Sequence, residues 1–304
     1  MTETNEKYIQ STESGRYAVV FPESIKTPRR HGTYDTMADA ITARDAYLAG
    51  LDNAEDDHND YPIIEAAGCR IVGLYDLHCP YQDDHAVSVA KKIVDIVQPD
   101  TVIFGGDVVD FYKLSRFLQD ESRASDIQSE LDTWYKTAQF LLDGTDAKVY
   151  NIVGNHELRL YRYLCANPEL SSLDALKLEN LLRLDDLRST LCRAVSFLDR
   201  RLVWIHGRYW SKNAGSAVKR EIDKRAYQQS IIQGHGHTMG HFDKSGPLYD
   251  IVGIEAGCLC QDSWYGEDGY WQRGVVVCTI ANNKPEIENV KIDQVTIFRG
   301  NVIR

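Results

Sequence analysis

Short, unbroken apolar runs alternate with stretches of helical periodicity through most of this chain, and the runs end at polar residues. Arg70-Ile71-Val72-Gly73-Leu74-Tyr75 is the first and stops at Asp76. Thr101-Val102-Ile103-Phe104, Val149-Tyr150-Asn151-Ile152-Val153, Leu202-Val203-Trp204-Ile205 and Ser230-Ile231-Ile232-Gln233 follow. Runs this short and apolar read as strands buried on both faces. Ala86, Val87, Ala90, Ile93, Val94 and Val97 recur at helical spacing and stop before Pro99. A second helix is expected from Ser125 to Leu142, opened by a Ser125/Gln128 capping pair. Leu- and Arg-rich helical segments are expected through 157–188. Strands joined through helices imply parallel pairing in a sheet covered on both faces. Strand-like stretches at 249–256, 274–280 and 286–303 suggest a second sheet. The expected fold class is α/β: a four-layer α/β/β/α sandwich of two mixed sheets flanked by helices.

The first residues break this rhythm. Arg16 to Phe21 has strand character, with Arg29 to Tyr34 as its hairpin partner, and a helix is expected from Thr36 to near Gly50. Asp52 to Asp60 is acidic and has no apolar periodicity. The expected organisation is an accessory β-β-(β)-α module over 1–52, an acidic linker over 53–67 and one large domain over 68–304.

Charge separates these parts further. The net charge of −11 argues against a protein that coats duplex DNA by charge alone. Residues 1–60 carry 6 Lys+Arg against 12 Asp+Glu, whereas 159–225 carry 14 against 8. That basic stretch reads either as groups that meet an anionic substrate or as solvated helix faces. The seven scattered cysteines fit buried, reduced thiols and a cytoplasmic setting. No apolar stretch is long enough for a membrane span, and the polar opening Met1 to Glu6 is unlike a secretory signal. Oligomeric state has no signature here.

Five motifs stand where the apolar runs end: Asp76-Leu77-His78, Gly106-Asp107-Val108-Val109-Asp110, Gly154-Asn155-His156-Glu157, Ile205-His206-Gly207 and Gly234-His235-Gly236-His237. In α/β sheets ligands gather at the carboxyl ends of strands. Carboxylates, imidazoles and an amide oxygen at five such ends suit two divalent cations, with one carboxylate able to bridge them. The set resembles the signature of the calcineurin-like metallophosphoesterases (D-x-H, G-D-x-x-D, G-N-H-E/D, H, G-H-x-H), complete and in order. The resemblance covers about residues 69–280. It implies that Asp76, His78, Asp107 and His237 hold one metal, and that Asp107 bridges to a second completed by Asn155, His206 and His235. It further implies that His156 protonates the leaving oxygen as general acid and that Asp110 orients a neighbour. Two metals about 4 Å apart share a water, lower its pKa and place a bridging hydroxide in line with phosphorus. Manganese is the first expectation; Fe, Zn, Co or Ni suit the same donors.

The chain departs from the protein-phosphatase branch of that family. Asp110 is followed by Phe111-Tyr112-Lys113 rather than arginine, and no arginine follows His237 closely. Arg159 and Arg162 could clamp a substrate phosphate or pair with acids on their own helix. His241 could touch the site or face the surface. The Cys258 to Trp271 segment carries clustered aromatics, readable as a stacking platform for bases or as a self-packed loop. The run from Gly-Asp-x-x-Asp-Phe-Tyr through Gly-Asn-His-Glu-x-Arg to Gly-Cys-Leu-Cys and Tyr-Trp-Gln-x-Gly is similar to that of phage-encoded phosphoesterases. The N-terminal Gly32-Thr33-Tyr34-Asp35-Thr36 resembles the small DNA-binding fold of ethylene-response factors and integrase arms, which would make Arg16, Lys26, Arg29 and Arg30 nucleic-acid contacts. These features favour a phosphodiesterase or nuclease acting on nucleic acid or nucleotides. The alternative is a phosphomonoesterase acting on small molecules or phosphoproteins. A DNA-binding scaffold with a dispensable site is the third reading.

Overall fold

The computed structural model describes residues 2–3, 9–12, 14–20, 30–38, 40, 61–115, 126–224, 229–245, 250–262 and 271–304. The chain divides into two compact units, Met1–Asp57 and His58–Arg304.

The first unit contains an antiparallel sheet of β1 (Thr2–Glu3), β2 (Ile9–Ser11), β3 (Tyr17–Val20) and β4 (Arg30–Tyr34), in that order. The expected hairpin is present, with Tyr17 opposite Tyr34. Arg16, expected to meet nucleic acid, is engaged within the unit: its Nε lies 2.6 Å from Asp35 Oδ1 and its Nη2 donates to Thr33 O. Lys26, Arg29, the side chain of Arg30 and most of the expected helix fall outside the described residues.

The larger unit runs β5 (Ile63–Glu65), β6 (Arg70–Leu74), α1 (Asp84–Val97), β7 (Thr101–Phe104), α2 (Ile127–Leu142), β8 (Lys148–Ile152) and α3 (Glu157–Ala166). Short helices α4 (Pro168–Ser171) and α5 (Leu178–Leu181) lead to β9 (Ser189–Cys192), β10 (Ala194–Phe197) and β11 (Leu202–Ile205). Then come α6 (Ser216–Lys224), β12 (Ser230–Gln233), β13 (Met239–Lys244), β14 (Ile251–Ala256), β15 (Gly274–Ala281) and β16 (Lys284–Lys291). A hairpin of β17 (Thr296–Phe298) and β18 (Asn301–Ile303) closes the chain.

Two six-stranded mixed sheets result, ordered β16-β15-β6-β7-β8-β9 and β13-β14-β12-β11-β10-β5. Alternating side chains of each strand feed different layers, as a period of two requires. Val72, Leu74, Val102 and Phe104 pack with α1 and α2, while Ile71, Ile103 and Ile152 meet Val195, Trp204, Ile232 and Ile254 of the other sheet. Val203, Ile205 and Ile231 turn outward onto Val218 and Ile222 of α6. Three apolar cores thus separate the layers of an α/β/β/α sandwich, the fold class expected.

Three details differ from the expectation. β15 and β16 extend the first sheet rather than forming the second, which is built from the strands around the fourth and fifth motifs. Val275 and Val277 face one core while Val276 and Cys278 face the other, so the run looks alike in either sheet. Helix α2 is capped by Asp126, which accepts from Ser129 N at 2.8 Å, in place of the Ser125/Gln128 pair. Residues 61–67 do not continue the linker. β5 pairs in parallel with β10, Ile63 beside Ala194 and Ile64 beside Val195.

Candidate metal centre

The strands β6, β7 and β8 are parallel neighbours, as are β11 and β12, and each delivers one motif at its carboxyl end. The two sets of loops meet face to face. His78 Nε2 and His237 Nε2 are 3.1 Å apart. His206 Nδ1 lies 3.0 Å from Gly105 O, and His235 N donates to Asp76 Oδ2 at 2.9 Å. Asn155 Oδ1 stands 2.9 Å from His206 Nε2 and 2.8 Å from His235 Nδ1. Such close loops need unusual backbone: Asp76, His78, Asp107, His235 and His237 all have positive φ. Gly106, at φ +95°, is required where it stands, since a Cβ there would meet His206 Nδ1 at 2.6 Å and Gly154 Cα at 2.9 Å.

Two donor groups share Asp107. Asp76, His78 and Asp107 form one, with His237 Nε2 3.3 Å from Asp76 Oδ1. Asp107, His206 and His235 form the other, with Asp107 Oδ2 3.3 Å from His206 Nε2. Their chemistry fits divalent cations. Asp76 Oδ1 is buried without a hydrogen-bond partner, and ring nitrogens point at each other across the gap.

Burial opposes charge on the three aspartates. The imidazoles around them nevertheless hold Asp76, Asp107 and Asp110 below the usual carboxylate range. The same attraction overcomes burial at His78 and lifts His206 to about 9. His235 is pushed the other way, to about 4, by burial and by the charge on His206. Carboxylates that hold protons on His78 and His206 would equally attract cations.

Beside the two groups stands His156. Its Nδ1 lies 2.8 Å from both the backbone O and Oδ1 of Asp110, which also approaches His78 Nδ1 at 3.5 Å. Its Nε2 is 3.7 Å from Asp107 Oδ2. Burial lowers the pKa of His156, and the Asp107 and Arg159 charges act on it in opposite senses. Arg159 donates from Nη1 to Asp110 O and lies 2.9 Å from His156 Nε2 through Nη2. It therefore reaches the centre instead of pairing along its helix. Arg162 is half-buried one turn further along α3. His241 is exposed and pairs with Asp243, away from the cluster.

Some supporting groups lie outside the motifs, and one, Glu157, stands in the third motif without an expected role. Glu157 accepts from the backbone N–H of Asp107, Val108, Val109 and Gly154. Burial and the Asp107 charge push its carboxyl up to about 7 against those donors. Buried Glu255 accepts from Gly215, Ala217 and Val218 N at the start of α6, and from Thr238 Oγ1 at 3.4 Å. An acid inside the apolar run Ile251 to Ala256 was its only trace in sequence. Cys260 Sγ lies 4.0 Å from His237 Nδ1, and the Trp271 ring meets His237 edge-on at 4.1 Å. The rest of that aromatic segment, 263–270, lies outside the described residues.

A sandwich of two sheets with an Asp/His/Asn cluster where five strand ends meet defines a metal-dependent phosphoester hydrolase. The family model of the calcineurin-like phosphoesterases matches residues 70–251, and the chain belongs to that family. It is similar to the Gene 54 protein of Mycobacterium phage D29, 26% identical over 238 residues that span 72% of this chain and 92% of that protein. Among solved structures it is similar to wild-type Vps29 of Entamoeba histolytica complexed with zinc, at a TM-score of 0.39 and 11% identity over 77% of this chain and 95% of that one. The nuclease MPE of Pseudomonas putida aligns at a TM-score of 0.29 and 11% identity, over 72% of this chain and 87% of that one. No described helix is long and apolar enough to cross a membrane.

Proposed function

We propose that the chain is a two-metal phosphodiesterase or nuclease acting on nucleic acid or nucleotides. The observation that carries this reading is Asp107, whose carboxylate stands within 3.7 Å of His78 on one side and 3.3 Å of His206 on the other. Asp76, His78, Asp107 and His237 would hold one cation, and Asp107, Asn155, His206 and His235 the other, with manganese the favoured metal. When bound, such cations neutralise phosphoryl oxygens and acidify water. The residues do the rest. Asp110 holds His156 at Nδ1, and Nε2, which accepts from Arg159 in this arrangement, would carry the proton given to the leaving oxygen once that contact is displaced. Arg159, beside that Nε2, is placed to take up a phosphoryl oxygen once substrate displaces it; Arg162 would extend the same basic edge. The excess of Lys and Arg over 159–225 favours a polyanionic substrate. A cytoplasmic setting suits the free, mostly buried cysteines.

The test is a panel of phosphoesters run with Mn, Fe, Zn, Co and Ni in turn. Bis-p-nitrophenyl phosphate and at least one of single-stranded DNA, duplex DNA, RNA or a cyclic nucleotide should be cleaved, with two metal ions per chain. Faster turnover of p-nitrophenyl phosphate than of its bis ester, with no polymer cleaved, would replace this reading by the phosphomonoesterase one.

A further inference from the structure

We infer that Trp210 is a base-stacking platform at the edge of the metal centre, and that the polymer it serves is single-stranded nucleic acid. The inference deepens the phosphodiesterase reading and rests on it for the reaction, though not for the binding. Trp210 stands four residues beyond His206, in the segment Gly207-Arg208-Tyr209-Trp210-Ser211-Lys212. The backbone of this segment is pinned. Gly207, at φ +103°, lies flat on Gln233, where a Cβ would meet the Gln233 side chain at 3.1 Å. Gln233 Nε2 donates to Tyr209 O at 3.5 Å, and the Arg220 guanidinium sits 4.1 Å over the Tyr209 ring. Arg208 Nε lies 3.6 Å from buried Glu221.

On this held frame the Trp210 indole is 67% exposed, whereas Trp134 and Trp204 are fully buried and Trp271 packs on His237. An exposed indole leaves unused the large burial energy that an aromatic ring offers. Its place ties it to the chemistry. Gly236, between His235 and His237, is so close to the segment that a Cβ on it would stand 3.8 Å from Trp210 Cα and Cβ.

The flanking residues select the occupant. Lys212 stands two positions beyond the ring, and Arg208, paired with Glu221, two positions before it, so a flat ring and basic residues occur together, the combination that tracks a single strand by base stacking and phosphate attraction. A duplex keeps its base faces stacked inside and offers this ring nothing.

Intrinsic fluorescence tests the inference on the full chain, metal-free so that nothing is cleaved, titrated with a 12-nucleotide oligothymidylate. Saturable quenching is expected, tighter for the single strand than for duplex of the same length. Trp210→Ala should weaken binding about tenfold or more, the loss of one stacked base. Trp210→Phe, with a smaller ring, should lose less affinity but most of the quench. Phe140→Ala, exposed on α2, should bind as the parent does. Parental affinity in Trp210→Ala, or duplex bound as tightly as single strand, overturns the platform. Turnover of bis-p-nitrophenyl phosphate by the manganese-loaded parent separates the two ideas. If it is present while Trp210→Ala keeps parental oligonucleotide affinity, only the platform falls. If it is absent while the quench is lost with Trp210, the platform stands and the phosphodiesterase reading falls.

Discussion

On the first sheet the loops bearing Asp76, His78, Asp107 and Asn155 hold one another; on the second, the loops bearing His206, His235 and His237 are held largely from outside. Asp76 N donates to Gly106 O, His78 N to Asp107 O, Cys79 N to Val108 O and Asp110 N to Cys79 O. Glu157 then ties the second and third motifs together through their backbone N–H groups. Across the gap, Gly234 N donates to His206 O, Gly236 N to Gly234 O and His235 N to Asp76 Oδ2, and much of the further support comes from residues no motif contains. Gln272 receives Met239 N and gives its own N–H to His237 O, while Glu255 takes the Thr238 hydroxyl and the start of α6. A motif therefore carries its own scaffold where consecutive parallel strands sit side by side. Where it does not, the scaffold is recruited from distant segments.

Removing the residue both halves share has the largest expected effect. Asp107→Asn should lower turnover of the bis ester about 10³-fold or more, equivalent to about 4 kcal/mol of lost transition-state stabilisation. Metal analysis should find fewer than two ions per chain, with circular dichroism unchanged. Two bound ions and parental turnover would mean that the halves do not meet at Asp107.

The next comparison sets the two buried glutamates against each other. Glu157 Oε2 accepts from Asp107 and Gly154 N, and Oε1 from Val108 and Val109 N, so either orientation of a Gln amide sets its NH2 against backbone donors. Glu255 Oε2 faces Gly215 N and the Thr238 hydroxyl, and the hydroxyl can accept from an amide. Glu157→Gln should therefore cost about 3 kcal/mol by urea unfolding and Glu255→Gln about half of that. Manganese affinity should fall in both, by about tenfold for Glu255→Gln and further for Glu157→Gln. Equal losses in the two variants would erase the contrast between self-held and externally held loops.

The same contrast explains what sequence could disclose. Strand ends were readable because each apolar run breaks abruptly at Gly, Asp, Asn or His, and the candidate ligands stand at those breaks. The sheet joined by β15 was not readable, since Val275 to Cys278 is apolar toward both cores. β9 and β10 were hidden because Arg193 interrupts their run and Leu-rich helical periodicity precedes it. Glu255 looked like any acid in a strand, because its donors at 215, 217 and 218 become neighbours only when β14 pairs with β12. Arg159 was legible as a cation near the site but not as a partner of His156, which depends on the first turn of α3 folding back over Asp110.

Arg159→Met should have the smallest effect, and it sharpens the first half of the comparison. Methionine keeps the stem that covers His156 while removing the donors to Asp110 O and His156 Nε2. Because Asp110 still holds Nδ1, the imidazole stays oriented and the donor groups are untouched, so metal content should match the parent. The guanidinium's contribution to phosphoryl binding is lost, so kcat/KM on the bis ester should fall about tenfold, more through KM than kcat. A fall in kcat alone would place Arg159 with the proton on His156 rather than with the substrate. Loss of metal would show that the first-sheet loops need this arginine as well as Glu157, and are less self-sufficient than their hydrogen bonds imply.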